Sequence, residues 1–155
     1  MKSITKQKPF EEIKQQLEGL DRVYIAGCGT CATMTKTGGR EEVLAMREQL
    51  QKLGKLVTGW IVIPTACDEM TEVAIKQNNG ALQNATCILV MSCALGVHKL
   101  STYIDKPAIP ALDTLFIGVE DGLGCFQEVC VQCGQCILGE TAGICPLTAC
   151  HKGLL

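Results

Sequence analysis

Apolar residues along this chain follow two alternating rhythms, and the alternation predicts the architecture. Phe10, Ile13, Leu17 and Leu20 recur at helical spacing, which predicts a helix from about Pro9 to Leu20 with Pro9 in its first turn. Val23-Tyr24-Ile25-Ala26 is a continuous apolar run of strand length that ends at Gly27. Val43, Met46, Leu50 and Leu53 mark a second amphipathic helix, stopped by Gly54. Trp60-Ile61-Val62-Ile63 is a second buried strand, ended by Pro64. Residues from Glu69 to Leu82 read as helix with a break near Asn78-Asn79-Gly80. Ile88-Leu89-Val90-Met91 is the third strand, a helix follows from Gly96 to Tyr103, and Leu115-Phe116-Ile117 is expected as the fourth strand. Met1–Lys6 leads into a polar helix-like stretch, and Thr33 to Gly39 reads as loop.

Continuous apolar strands separated by helices indicate a parallel sheet covered on both faces. The expected fold is therefore α/β, a small Rossmann-like or flavodoxin-like parallel sheet of about four strands with flanking helices. From about Gly122 the pattern gives way to cysteine and glycine. The predicted division is an α/β domain over residues 1–121 carrying a metal site, and a cysteine-rich extension over 122–155.

Composition changes the picture at the cysteines. Of 155 residues 47% are apolar, so the core does not depend on cross-links, and eleven cysteines is an odd number for a disulfide framework. No apolar signal core follows Met1, and no run of about 18 apolar residues is present. The expectation is a cytoplasmic chain with no membrane span, where dense thiols bind metal more often than they cross-link. A net charge of −2 with scattered basic residues, and 4% aromatics, argues against nucleic acid as a partner.

The densest thiols are Cys130-x2-Cys133-x2-Cys136, followed by Cys145-Pro146 and Cys150. Bridges within so short a run are geometrically difficult, whereas all the thiolates can turn onto one centre. The spacing resembles the bacterial ferredoxin run with a longer gap before its last thiol, which points to an iron–sulfur site. Structural zinc is the alternative, because four-thiolate zinc uses similar paired cysteines.

A second set emerges once the strands are placed. Cys28 and Cys31 follow the first strand, Cys67 the second and Cys93 the third. Ligands of open α/β sheets collect at the carboxyl ends of the strands, so these four thiols form a candidate four-thiolate site. Taken singly, Cys67 or Cys93 reads as a small buried hydrophobe, and Cys87 reads that way in any case. Cys125 precedes the C-terminal run and is not expected to be a ligand.

Gly27-Cys28-Gly29-Thr30-Cys31-Ala32 also matches a dinucleotide fingerprint, but no acidic residue closes the second strand where a ribose partner belongs. The histidines, His98 and His151, offer no clear base for a nucleophilic cysteine, and Cys28-x2-Cys31 as a thioredoxin-type pair ranks last. Asp68-Glu69 reads as the charged start of a helix.

These motifs carry a resemblance to a known family. Gly27-Cys28-Gly29-Thr30-Cys31, Gly38-Gly39-x2-Glu42-Val43, Cys133-Gly134-x-Cys136 and Gly143-Ile144-Cys145-Pro146-x3-Cys150-x-Lys152-Gly153-Leu154-Leu155 resemble MetV-type proteins, the methylenetetrahydrofolate reductase C-terminal domain family. The resemblance implies an iron–sulfur subunit that partners a MetF-type flavoprotein, which reduces methylene-tetrahydrofolate to methyl-tetrahydrofolate. It implies two [4Fe–4S] clusters, an upstream electron donor protein, and an electron-transfer rather than catalytic part for this chain. By the same resemblance Cys28, Cys31, Cys67 and Cys93 match one ligand set, and Cys130, Cys133, Cys136, Cys145 and Cys150 the other. Two departures stand out. The family continues past Lys-Gly-Leu-Leu with an Asn-Gly-Pro-Cys-Gly-Gly segment where this sequence stops at Leu155, so either the protein is naturally short there or the sequence is truncated, and Cys93-Ala94 stands where Cys-Gly is usual. The competing reading is a zinc-stabilised docking module of the same complex.

Overall fold

The computed structural model describes residues 2–130. These divide into two compact units. One is Thr5–Thr114; the other contains Lys2–Ile4 together with the chain from Leu115.

The larger unit is built on a four-stranded parallel sheet. Strand β1 (Lys2–Gln7) and helix α1 (Phe10–Gln16) precede β2 (Arg22–Cys28), which is followed by the short helix α2 (Cys31–Met34) and the long α3 (Arg40–Lys52). Then come β3 (Leu56–Ile63), α4 (Met70–Gln77), α5 (Asn79–Gln83), β4 (Cys87–Met91), α6 (Ala94–Ser101) and β5 (Ala108–Pro110). The sheet order is β3-β2-β4-β5, and its registered pairs are all parallel. The α/β expectation holds, with the strand order of a flavodoxin-like sheet: the first of its strands is flanked by the second and the third.

Alternation along the central strands divides the core into two layers. Val23 and Ile25 of β2 join Cys87, Leu89 and Met91 of β4 in a cluster covered by Ile13 and Leu17 near α1 and by Val43, Met46 and Leu50 of α3. Tyr24, Ala26 and Cys28 join Ile88 and Val90 on the opposite face, under Ala74 of α4, Leu82 of α5 and Leu100 of α6. Of the helical apolar positions read from the sequence, Ile13, Leu17, Val43, Met46 and Leu50 are buried, whereas Phe10, Leu20 and Leu53 are half-buried, and α1 ends at Gln16 rather than running to Leu20. Gly54 ends α3 with a left-handed φ of 84°, and the break near Asn78 separates α4 from α5 as expected.

Several elements differ from the sequence reading. The fourth parallel strand is β5, not Leu115–Ile117, which belongs to β6 (Leu112–Glu120). β5 was masked by Pro107 and Pro110, yet as an edge strand it needs no proline donor. The Ile88 N–H donates to the Pro107 carbonyl and the Ala111 N–H to the Val90 carbonyl, so the prolines only accept or flank. The N-terminal segment, to which the apolar pattern assigns no element, is a strand with Ser3 and Thr5 alternately buried. Thr33–Gly39 is not loop throughout, because α2 reaches Met34, closed by the Met34 N–H on the Thr30 carbonyl.

The second sheet has the order β1-β6-β7, with β7 spanning Phe126–Cys130. β6 and β7 form an antiparallel hairpin whose turn contains Gly122 and Gly124, both at positive φ. Order therefore continues past Gly122, where the apolar pattern fades. Among the described residues no helix is long and apolar enough to cross a membrane.

One core residue carries a prediction. Tyr24 is fully buried over Gly59, where an added Cβ would lie 2.8 Å from the ring, and its hydroxyl has no hydrogen-bond partner among the described residues. Burial pushes the phenol up from 10.0 to about 12. The raised value makes this contribution to stability complete below the unfolded phenol's pKa and lost as pH rises toward the folded one, by up to about 2 kcal/mol. Tyr24→Phe is expected to gain about 1 kcal/mol in urea unfolding at neutral pH by removing an unsatisfied group. It is also expected to flatten the alkaline loss, and a destabilised variant would contradict this.

Candidate metal centre

Parallel register brings three loops to one edge. Cys28 of β2 lies opposite Ile63, the last residue of β3, and Gly27 lies opposite Met91, the last residue of β4. The chain leaving each strand therefore emerges at the same carboxyl edge. Cys28 closes β2, Cys31 opens α2, Cys67 sits in the turn between β3 and α4, and Cys93 caps the N-terminus of α6. Because β3 and β4 flank β2 on opposite sides, Cys28, Cys31 and Cys93 bracket the topological switch point, where such sheets take their ligands.

Close backbone packing holds the first loop down. The Cys28 N–H donates to the Gly38 carbonyl at 3.0 Å, folding the end of the loop back across the strand from which it began. A Cβ on Gly27 would stand 2.5 Å from that carbonyl oxygen, and a Cβ on Gly38 would fall on the Met91 carbonyl. Only glycine permits this crossing. The first loop is also tied to the second: the Gly29 N–H donates to the Ile63 carbonyl at 2.8 Å, and the Thr30 hydroxyl to the Pro64 carbonyl at 2.7 Å. The second loop is tied to α6 by Glu69, which pairs with Lys99 at 2.7 Å and accepts from the Tyr103 hydroxyl at 3.3 Å. The Lys99 hydrogen bond holds the Glu69 carboxyl below its usual range, so this tie is present at neutral pH and weakens as pH falls through that lowered value. Asp68 accepts the Met70 N–H at 2.7 Å, so Asp68-Glu69 does serve a helix start.

The four thiols share one electrostatic neighbourhood. Cys28 and Cys93 are buried, Cys31 is half-buried and Cys67 is exposed. Partial burial pushes the Cys67 thiol up, and the charges of Cys93, Cys28 and Cys31 push it further. All three other thiols thus act on Cys67. Among the described residues, no three His, Cys, Asp or Glu side chains are already drawn into a coordinating array. The donors form a purely sulfur set around a glycine-rich loop. That chemistry fits a soft centre, an iron–sulfur cluster or zinc, and does not fit a hard cation.

The other cysteines separate clearly. Cys87 is fully buried among apolar side chains and burial pushes its thiol up to about 11, as suits a small hydrophobe. Cys125 is exposed in the β6–β7 turn, where its N–H donates to the Gly122 carbonyl. Cys130 is the last residue of β7, opposite Ile117. Cys133, Cys136, Cys145 and Cys150 lie outside the described residues. The dinucleotide lookalike does open a helix at Cys31, but α2 has only four residues, and β3 runs into Pro64 rather than an acidic residue.

The sequence reading passed over the threonines. Thr30, Thr33, Thr35 and Thr37 crowd the first loop, and each places its hydroxyl on backbone or on another hydroxyl. Their density between Thr30 and Thr37 was the available signal.

Residues 109–155 match the family described as methylene-tetrahydrofolate reductase C terminal. Over those residues, less than half of the chain, the match bears out the resemblance seen in the sequence. The match begins within β5 and takes in Cys130, Cys133, Cys136, Cys145 and Cys150, whereas Cys28, Cys31, Cys67 and Cys93 precede it. No curated protein and no solved structure matches the chain.

Proposed function

We propose that this chain is an iron–sulfur electron-transfer subunit of a methylene-tetrahydrofolate reductase, delivering electrons to a flavin held by a MetF-type partner. The observation that carries this reading is the delivery of four thiols from three successive loops to one sheet edge. The family match over residues 109–155 supports the reductase association and covers the second cysteine set.

In this reading Cys28, Cys31, Cys67 and Cys93 hold one [4Fe–4S] cluster, and the thiols from Cys130 to Cys150 hold another. Such a group supplies one-electron transfer at a potential set by its surroundings. This chain's residues do the rest. The Gly27 and Gly38 crossing brings backbone close to the thiols, and the Thr30–Pro64 and Glu69–Lys99 ties keep the three loops in register. Cys28 and Cys93 are buried and Cys67 is exposed, so in this reading the site is open to a partner at Cys67. Reduction of methylene- to methyl-tetrahydrofolate takes two electrons and two protons. The partner's flavin handles the two-electron step, and an upstream electron donor protein replenishes this chain.

The test is anaerobic mixing of the dithionite-reduced, desalted chain with a MetF-type flavoprotein. Bleaching of the flavin, with methyl-tetrahydrofolate formed when methylene-tetrahydrofolate is added, is the expected result. A fully iron-loaded chain that leaves the flavin oxidised would contradict the assignment.

A further inference from the structure

The N-terminal strand reaches the first thiol loop through side chains that the electron-transfer reading does not use. Thr5 lies at 5% relative exposure and Thr37 at 8%, and their hydroxyl oxygens are 2.6 Å apart. Thr35 closes a triangle, 3.1 Å from Thr5 and 2.9 Å from Thr37. One assignment uses every proton once: Thr5 donates to Thr37, Thr37 to Thr35, and Thr35 to the Cys31 carbonyl at 3.0 Å. Gln7, two residues along the same strand, donates its amide to the Thr37 carbonyl at 2.8 Å. Between Thr35 and Thr37 the backbone turns through Lys36 at φ 52°, a conformation that costs a non-glycine residue energy and persists only where its surroundings enforce it.

We propose that Thr5, Thr35 and Thr37 form a three-hydroxyl clasp that positions the Cys28–Cys31 loop, making the N-terminal strand part of the thiol site. These are positioning residues, acting through the Cys31 carbonyl and the turn that returns to Gly38. The geometry explains why short hydroxyl side chains are needed. A longer polar group would not fit between a strand and a turn whose oxygens already stand at hydrogen-bond distance, and an apolar one at position 37 would take from buried Thr5 its 2.6 Å partner and leave it only Thr35 at 3.1 Å. The clasp's importance for metal binding rests on the thiol-site reading, whereas its grip on the loop does not.

The test is iodoacetamide labelling of the full-length, reduced, metal-free chain, read residue by residue by mass spectrometry. Thr37→Val keeps the side-chain shape and removes the hydroxyl. It is expected to raise the Cys31 rate about fivefold through easier local opening of the loop. Cys67 and Cys87 are expected to keep their rates, and Thr37→Ser to restore Cys31. An unchanged Cys31 rate overturns the clasp. So does an equal rise at Cys31, Cys67 and Cys87, which reports general loosening. Should Thr37→Val fail to fold, Thr5→Val reads the same loop from the strand side. A parallel arm adds zinc ion alone to the wild-type chain. Failure to protect Cys28, Cys31, Cys67 and Cys93 would count against the shared thiol site, while the Cys31 comparison still decides the clasp.

Discussion

Gly38→Ala is expected to lower the melting temperature by about 10 °C and to empty the sheet-edge site. The new methyl group would clash with the Met91 carbonyl and press on the Ala32 side chain at 3.1 Å. Met91 is the last residue of central strand β4 and pairs with Gly27, so it cannot give way without disturbing the ladder beneath the site. The loop must move instead, breaking the Cys28 N–H bond to the Gly38 carbonyl and shifting the loop that carries Cys31. Overpacking against backbone costs about 3 kcal/mol, which over a chain of this size gives the stated shift. Gly80 provides the contrast. A Cβ there meets nothing within 4 Å, and the residue lies in helix α5, so Gly80→Ala is expected to stabilise slightly, by about 0.5–1 kcal/mol. Thermal melts of the two variants check both directions, and a Gly38→Ala chain that melts like wild type would mean the crossing is not tight.

The second large effect concerns the thiols themselves. Each of Cys28→Ser, Cys31→Ser, Cys67→Ser and Cys93→Ser is expected to remove about four irons per chain from anaerobically reconstituted protein, the content of one cubane cluster. Cys87→Ala is expected to leave iron unchanged and to cost about 1–2 kcal/mol in stability, because it opens a small void in the core beside Leu89 and Met91. The contrast between Cys93 and Cys87 is informative, since both are buried and only six residues apart. Cys93 caps a helix at the carboxyl edge, whereas Cys87 begins β4 at the far end of the sheet. If any one of the four edge variants retained full iron, that cysteine would lose its ligand role.

What the sequence made legible was set by burial. The central strands and α3 are apolar on the faces they bury, so Val23–Ala26, Ile88–Met91 and the Val43-Met46-Leu50 stripe were readable without coordinates. β5 escaped because a short edge strand bounded by prolines has few apolar residues and pairs through partners on β4. β1 escaped because its buried residues, Ser3 and Thr5, are polar. The grouping of Cys28, Cys31, Cys67 and Cys93 was legible because parallel strands all deliver their following loops to one edge. The threonine clasp was not, since it depends on contacts 30 and 32 residues apart and on a strand that hydrophobic periodicity does not reveal.

The central claim is that this chain carries iron–sulfur clusters, and metal analysis of the full-length protein purified without oxygen tests it most directly. The account predicts about eight irons with matching sulfide per chain, and a broad absorption near roughly 400 nm that bleaches on reduction. Zinc bound by the thiols, with neither iron nor acid-labile sulfide after reconstitution, would contradict it.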